Sequence, residues 1–114
     1  MDGQYVRTEM VIGKYGVEKL RSTAVMVLGI GGVGSYTAEA LARAGIGKLT
    51  LVDKDTVDVT NINRQLPALH STVGRAKVEV MAERIADIDP NCDCLLYTSP
   101  SPRDISGSRM PSSA

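Results

Sequence analysis

The chain has 114 residues, of which 43% are hydrophobic and 23% charged, a composition typical of one small globular domain. Its 13 basic and 13 acidic residues balance, so the net charge indicates neither nucleic acid nor a membrane surface as a partner. No apolar run is long enough to span a membrane, and the N-terminal stretch lacks the apolar segment of a signal peptide. We therefore expect a cytoplasmic enzyme domain.

The first predicted element covers residues 7–20, where apolar side chains recur but Gly13 and Gly16 interrupt them. Two short helices joined by a glycine turn are expected. Arg7, at the start of this element, is open to two interpretations on the sequence alone. It is either a solvated surface arginine or a phosphate ligand.

Residues 25–53 have the pattern of a nucleotide-binding βαβ unit. A short run of Val and Leu at 25–28 predicts a strand, an Ala- and Leu-rich pattern at 33–44 predicts a helix, and 48–52 predict a second strand. Gly45 and Gly47 are expected to end the helix as left-handed caps. Four glycines lie between the first strand and the body of the helix, namely Gly29, Gly31, Gly32 and Gly34.

Each of these glycines has a physical use at a phosphate site. Gly29 permits the tight turn out of the strand, and Gly34 lets the helix pack closely on the sheet. Gly31 and Gly32 let a phosphate approach bare backbone. Asp53 follows the second strand about 20 residues after Gly34, the spacing of an acid that binds a ribose hydroxyl. The unit predicts nucleotide binding without identifying the nucleotide.

A long polar connection that contains Pro67 follows the second strand. Its polar side chains crowd just beyond the strand end, where α/β sheets bind their ligands. An ordinary solvated loop with Asx turns is the alternative. His70 has no metal-ligand partner at suitable spacing and is interpreted as a loop residue. The crowded polar residues are Asp53, Asp55, Asn61, Asn63, Arg64 and Gln65.

Residues 73–88 form the next predicted helix, because apolar side chains recur there at helical spacing. Ser71 or Thr72 is expected to cap it, and residues 89–91 to end it. Lys77 lies in the first turn, where the helix dipole disfavours a cation. Either an anionic ligand or extension of the ammonium group into solvent would explain it.

The composition changes in the last part of the chain. Cys92 and Cys94 are too close for an ordinary disulfide and too few for a zinc site, so we interpret them as reduced and incidental. Residues 94–114 are rich in Ser and Pro and lack periodicity. The runs CLLYTSPSPRD and SRMPSSA resemble a translated sequencing-adapter read-through. We predict a structured region over residues 1–93 and an artefactual disordered tail over 94–114, with a genuine disordered tail as the alternative.

Taken together, five stretches resemble the ubiquitin-activating-enzyme-like adenylyltransferase superfamily, and within it the tRNA threonylcarbamoyladenosine dehydratases. The set combines Asp-x-Asp, Asn-x-x-Arg-Gln and a later lysine, which simple dehydrogenases are not expected to carry. The stretches are RTEMVIG at 7–13, GIGGVGS at 29–35, EALARAGIGKLTLVDKDTV at 39–57, TNINRQ at 60–65 and VGRAKVEVMAERI at 73–85.

The resemblance implies an α/β, Rossmann-like nucleotide-binding fold, truncated after the first βαβ unit and the following helix. It also implies ATP rather than NAD as the nucleotide, with Mg²⁺ held by a residue beyond position 94. Asp53 would bind the ribose hydroxyls, with Asp55 in the same nucleotide site. Arg7 would reach the phosphates of a neighbouring subunit in a homodimer. The triphosphate would be bound by Asn61, Arg64 and Lys77, with Gln65 nearby.

The implied reaction is attack of a carboxylate oxygen on the α-phosphate of ATP, assisted by Arg7, Arg64 and Lys77. The leading prediction is cyclisation, with loss of water, of threonylcarbamoyladenosine in tRNA. A sulfur-carrier or ubiquitin-like protein, adenylated at its C-terminal glycine, is the alternative substrate. An NAD(P)-dependent oxidoreductase is the alternative from another class. Because only two strands of a larger sheet are predicted, this chain is expected to be inactive and poorly stable alone.

Overall fold

The computed structural model describes residues 3–98, which form a parallel three-stranded sheet with helices packed against it. The strand order is β1-β2-β3, with Val27 paired to Leu51 and Leu51 to Leu96. Within these residues no helix is long and apolar enough to cross a bilayer. The elements are α1 (Val6–Arg21), β1 (Ala24–Leu28), α2 (Gly32–Ala44), β2 (Lys48–Val52), α3 (Lys77–Ile88) and β3 (Asp93–Tyr97).

Helix α1 is broken at Gly13, whose φ of 81° and ψ of 164° leave the helical region. Glycine adopts a positive φ at little cost because it has no Cβ. The break confirms the prediction of two helical segments joined by a glycine. Gly16, the second predicted interruption, lies inside the helix.

The main core lies between the sheet and helices α2 and α3. Right-handed crossovers from β1 to β2 and from β2 to β3 place both helices on the same face of the sheet. The buried side chains recur at helical spacing along both helices, as the apolar pattern predicted. The buried core consists of Val27, Ile30, Ala38, Ala42, Ile46, Leu49, Leu51, Val78, Met81 and Ile85.

The two glycines between α2 and β2 serve different purposes. Gly45 ends α2 with a φ of 100°, which confirms the predicted left-handed cap. Gly47 does not adopt a positive φ, so the second predicted cap is wrong. A Cβ at Gly47 would lie 1.7 Å from the carbonyl oxygen of Arg21. This position requires glycine because the end of α1 passes directly over it.

Helix α3 begins at Lys77, later than the predicted start at Val73. The intervening backbone pairs instead with the chain just after β2. The N–H of Val57 donates to the carbonyl oxygen of Arg75 at 2.8 Å, and that of Lys77 to Asp55 at 3.1 Å. This antiparallel contact fixes the first residue of α3 beside the carboxyl end of β2.

The predicted cap of α3 by Ser71 or Thr72 is wrong. Ala76 occupies the N-cap position, and no side chain caps the helix. The Thr72 hydroxyl instead accepts the N–H of Leu69 at 2.9 Å and donates to the carbonyl oxygen of Pro67 at 2.6 Å. Its capping capacity is therefore used within a short 3-10 turn, His70–Thr72.

Strand β3 corrects the prediction that the chain supplies two strands and is disordered from Cys94. Residues 93–97 pair in parallel with β2, and Cys94 packs against the main core. A short apolar run is sufficient for this because the free edge of β2 offers unpaired backbone groups. The boundary predicted between residues 93 and 94 falls inside β3. Residues 99–114 of the predicted tail lie outside the described residues.

Candidate functional site

The glycine turn, defined here as residues 29–32, leads from the carboxyl end of β1 into α2. Gly29 has a φ of 93°, and its N–H donates to the carbonyl oxygen of Val52 at 2.7 Å. A Cβ at Gly34 would lie 1.8 Å from the carbonyl oxygen of Gly29. The turn and the close approach of α2 therefore depend on glycine at these two positions, as the sequence predicted.

The other two glycines face polar side chains, which an added Cβ would meet at ordinary van der Waals distance. A Cβ at Gly31 would lie 3.9 Å from Nε2 of Gln65, and one at Gly32 would lie 3.8 Å from Cγ of Arg64. Packing does not require glycine at such distances. No side chain caps α2, so N–H groups of its first turn stay available to an anion at the positive end of the helix dipole.

Asp53 connects the glycine turn to the connection that follows β2. Its Oδ2 accepts the N–H of Ile30 at 2.6 Å, and its Oδ1 accepts the N–H of Asp55 at 2.8 Å. Each carboxylate oxygen retains a second lone pair that can accept a ligand hydroxyl. Asp55 itself is exposed at the same strand end.

A polar loop, defined here as residues 58–66, folds into a tight turn beside the glycine turn. Asp58 accepts the N–H of Thr60, and Asn61 accepts the N–H of Asp58, each at 2.9 Å. The N–H groups of Arg64 and Gln65 both donate to the carbonyl oxygen of Asn61, at 3.1 and 2.9 Å. This local network brings three predicted site residues to the edge where Asp53 lies.

The polar side chains of this loop have unused hydrogen-bonding capacity. Gln65 is 8% exposed, and its Oε1 has no hydrogen-bond partner among residues 3–98. The Arg64 guanidinium donates through Nη1 to the carbonyl oxygen of Thr60 at 3.0 Å and to Oδ1 of Asn63 at 2.9 Å. Both of these acceptors are neutral, so they leave the charge of Arg64 uncompensated.

Lys77 is a mostly buried residue whose ammonium group keeps contact with solvent. The residue is only 7% exposed and occupies the first position of α3. Its side chain forms no salt bridge within the described part of the chain. Hydrogen bonds from Thr60 lower the pKa of the Asp58 carboxyl, and the charge of Lys77 lowers it further. The helix dipole disfavours an ammonium group at this position. Both predicted explanations, an anionic ligand and extension of the ammonium group into solvent, fit this arrangement.

Arg7 lies apart from the other predicted site residues of its own chain. The hydroxyl oxygen of Tyr5, two residues earlier, lies 3.0 Å from the carbonyl oxygen of Ala42, near the end of α2. Because α2 runs antiparallel to the strands, its end lies at the amino edge of the sheet, opposite the glycine turn. Arg7 is exposed there.

Sequence reasoning missed Ser35. This residue is 0% exposed, and its Oγ accepts the N–H of Leu66, at the end of the polar loop, at 3.2 Å. Its position on the predicted helix could have indicated a buried, hydrogen-bonded hydroxyl. Ser35 shares the buried stripe of α2 with Ala38 and Ala42, and a buried hydroxyl requires a hydrogen-bond partner.

The remaining candidate groups have simpler environments. His70 is exposed, and the thiols of Cys92 and Cys94 are free. Burial raises the pKa of the Cys92 thiol and raises that of Cys94 to about 12, so both are protonated at neutral pH. Within residues 3–98, no group of three or more His, Cys, Asp or Glu side chains could hold a metal ion.

Comparison with known proteins places these features in a family context. The ThiF family matches residues 5–106. The chain is 60% identical over 92 residues to the tRNA threonylcarbamoyladenosine dehydratase of Bacillus subtilis, covering 81% of this chain and 36% of that protein. It is 45% identical over 76 residues to the molybdopterin-synthase adenylyltransferase of Salmonella typhimurium, covering 67% of this chain and 30% of that protein.

The structural likeness is equally extensive. The crystal structure of Escherichia coli tRNA N6-threonylcarbamoyladenosine dehydratase in complex with ATP matches with a TM-score of 0.86 and 44% sequence identity. The match covers 92% of this chain and 44% of that chain. It confirms the predicted α/β class and Rossmann-like topology. The chain spans about a third of the length of the curated relatives that it matches.

Proposed function

The chain belongs to the ThiF family, and from this premise we propose that it contributes an ATP site to a carboxylate-adenylating enzyme. Lys77 is the observation that carries the proposal. Its ammonium group forms no salt bridge within the described residues and lies at the start of α3, where the helix dipole disfavours a cation. The uncapped start of α2 favours an anion at the same edge of the sheet. The triphosphate of ATP satisfies both, and the Escherichia coli structural neighbour was crystallised with ATP.

In this proposal each polar group has a distinct role. The phosphates lie against the bare backbone of Gly31 and Gly32 and the first turn of α2. Arg64 and Lys77 pair with phosphate oxygens. The ribose hydroxyls donate to the free lone pairs of Asp53, with Asp55 beside it. The side-chain amides of Asn61 and Gln65 supply further donors.

The proposed reaction uses this arrangement to stabilise negative charge. A carboxylate oxygen of the substrate attacks the α-phosphorus of ATP, and the bond from that phosphorus to the oxygen that bridges the α- and β-phosphates breaks. Pyrophosphate departs, and the substrate becomes an acyl-adenylate. Charge grows on the phosphate oxygens during this step, and fixed cations at Arg64 and Lys77 are positioned to stabilise it. Mg²⁺ bound to the phosphates would neutralise further charge. The described residues offer no site for this ion, so we assign it no step.

We infer that Arg7 acts on the phosphates of a second copy of the protein in a homodimer. Its exposure, and its position at the amino edge of its own sheet, are compatible with a role outside its own site. An arginine supplied by a partner subunit would stabilise the same developing charge.

The carboxylate that we propose as substrate is that of threonylcarbamoyladenosine in tRNA. The name of the Bacillus subtilis relative, at 60% identity, supports this choice. Attack within the activated modification would close a ring with net loss of water. A sulfur-carrier protein adenylated at its C-terminal glycine is the second candidate, because the Salmonella typhimurium relative is a molybdopterin-synthase adenylyltransferase.

Two experiments test these proposals. Titration of the protein with ATP and with NADH, followed by NMR, should show binding of ATP alone, because Arg64 and Lys77 favour a triphosphate. Binding of NADH with no response to ATP would rule out the adenylation proposal. For the substrate, mass spectrometry of tRNA from a strain that lacks the gene should show loss of the cyclised adenosine. Intact cyclised adenosine would favour the carrier-protein alternative.

A further inference from the structure

We propose that Ser35 is a positioning residue, whose hydroxyl fixes the polar loop against the glycine turn and thereby sets the geometry of the phosphate site. This inference rests on the proposed ATP site. Ser35 itself is fully buried and does not face the ligand space. It would act through the residues that do.

Three hydrogen bonds place Ser35 at the junction of the two segments. Its backbone N–H donates to the carbonyl oxygen of Gly31 at 3.0 Å. Its Oγ accepts the N–H of Leu66 at 3.2 Å and lies 3.5 Å from the carbonyl oxygen of Gly32, to which it donates. One residue therefore joins both phosphate-facing glycines to the end of the polar loop, 31 positions later in the chain.

The polar loop depends on this bond for its placement. The N–H groups of Arg64 and Gln65 are used inside the loop, on the carbonyl oxygen of Asn61. The N–H of the next residue, Leu66, donates outside this local turn, to Oγ of Ser35. The bond thus orients the loop as a unit relative to α2, whereas the internal bonds only fix its shape.

A hydroxyl has the chemistry that this position requires. Serine can donate one hydrogen bond and accept others at the same time. Alanine would leave the N–H of Leu66 without its acceptor inside a packed region. Because Arg64 and Gln65 immediately precede Leu66, a shift of that N–H moves both of their side chains. Charge-assisted bonds to phosphate are sensitive to displacements of well under 1 Å.

The effect should be confined to the phosphate end of the nucleotide. Asp53, the proposed ribose ligand, is held by the N–H groups of Ile30 and Asp55, neither of which belongs to the polar loop. Loss of the Ser35 hydroxyl should therefore weaken binding of ATP and leave binding of adenosine unchanged. A general loss of structure would weaken both ligands together.

The experiment compares ATP and adenosine binding to the 114-residue chain by ¹⁵N NMR titration, which measures weak affinities. In Ser35→Ala, we expect the Kd of ATP to rise about tenfold, which corresponds to the free-energy contribution of one buried hydrogen bond. The Kd of adenosine should stay within about twofold of the wild-type value. Ser35→Thr retains the hydroxyl and should recover most of the ATP affinity. Thr37→Ala removes an exposed hydroxyl of α2 that donates to the carbonyl oxygen of Val33, and should change neither affinity.

Equal weakening of ATP and adenosine in Ser35→Ala, or unchanged ATP affinity, would overturn the positioning role while leaving the ATP site intact. Failure of the unmodified chain to bind ATP would instead overturn the proposed function, and this inference with it. If Ser35→Ala does not fold, the same two affinities are measured in Ser35→Cys. Its thiol has a similar volume but is a weaker acceptor, so the same selective loss of ATP affinity is expected.

Discussion

Lys77 places a cation without a salt bridge at the first position of α3, where the helix dipole disfavours it. Replacing it with Met keeps an unbranched side chain and removes the charge. We expect the free energy of unfolding to rise by no more than about 0.5 kcal/mol, because only the helix dipole opposes the charge, and the affinity for ATP to fall at least about tenfold. Urea unfolding and NMR titration measure these quantities.

The control for this change is Lys19→Met, at an exposed position of α1. It should alter the free energy of unfolding by less than about 0.5 kcal/mol and leave ATP binding unchanged. A marked loss of stability in Lys77→Met would show that the ammonium has a stabilising partner, and would remove the main support for the anion site.

Gly32 and Gly34 offer a matched pair with opposite expected effects. Gly32→Ala places a methyl group on a helical residue in ordinary van der Waals contact with Arg64, so stability should rise by up to about 1 kcal/mol. The methyl group would occupy the surface proposed for the phosphates, and ATP affinity should fall at least about tenfold. Gly34→Ala would force a Cβ to 1.8 Å from the carbonyl oxygen of Gly29 and should cost about 3 kcal/mol.

Thermal unfolding and ATP titration of both variants check this pair of predictions. Wild-type ATP affinity in Gly32→Ala would mean that phosphate does not approach that backbone. Wild-type stability in Gly34→Ala would mean that α2 can move away from the turn.

The residue-level sequence prediction succeeded where a local spacing rule applied. Gly29, Gly34 and Asp53 stand at the positions that the βαβ pattern requires, so their placement could be predicted. Ser35 and Gly47 could not be interpreted this way, because each depends on a contact with a distant part of the chain. Ser35 bonds to Leu66, and Gly47 lies under the carbonyl group of Arg21.

Among the elements, α1 is anchored by a buried ion pair. Asp89 is 0% exposed and accepts hydrogen bonds from Nη1 of Arg21 at 2.6 Å and from the hydroxyl of Tyr5 at 2.9 Å. The N–H of Asn91 donates to its other oxygen at 3.0 Å. Because Tyr5 and Arg21 flank the two ends of α1, this carboxylate joins the whole helix to the end of α3.

Acid should weaken this anchor. Burial alone would raise the pKa of Asp89, but the hydrogen bonds from Arg21, Asn91 and Tyr5 and the charge of Arg21 outweigh it, so the pKa lies below its ordinary value. A carboxyl group of this kind stabilises the fold above its unfolded pKa of about 3.9, and the stabilisation is lost as the pH falls through the folded pKa. Asp89→Asn should therefore cost about 3 kcal/mol at pH 7 and progressively less below about pH 4.

Urea unfolding at pH 7 and at pH 3 measures this change, with the exposed Asp87→Asn as the control. The control should have little effect at either pH. An equal cost of Asp89→Asn at both pH values would show that the carboxylate charge does not contribute to the anchor.

Element boundaries were predictable where they depend on local sequence. Helix α2 and strand β2 agree with their apolar patterns and their glycine end. The start of α3 was not predictable, because residues 74–77 pair with 55–57 instead of continuing the helix. Strand β3 was missed because its few apolar residues precede a Ser- and Pro-rich segment that dominates the composition.

For the molecule as a whole, the distribution of apolar surface limits stability. Helices α2 and α3 cover one face of the sheet, while Met26 and Leu28, which alternate with buried Val27, are 39% and 57% exposed. Met10 and Val11 of α1 are also exposed. Apolar surface of this kind is typical of faces that pack against further protein.

We therefore expect the 114-residue chain to be poorly stable and inactive alone. A three-stranded sheet with one open face buries too little apolar surface for high stability, so thermal unfolding should be broad and centred below about 45 °C. ATP should raise the midpoint by mass action if it binds the folded state. Exchange of pyrophosphate into ATP should stay at background, because the described residues supply the phosphate cations but no metal site. The full-length Escherichia coli dehydratase serves as the positive control. Cooperative unfolding combined with exchange at the rate of that control would mean that the glycine turn, the polar loop and Lys77 form a complete site without further protein.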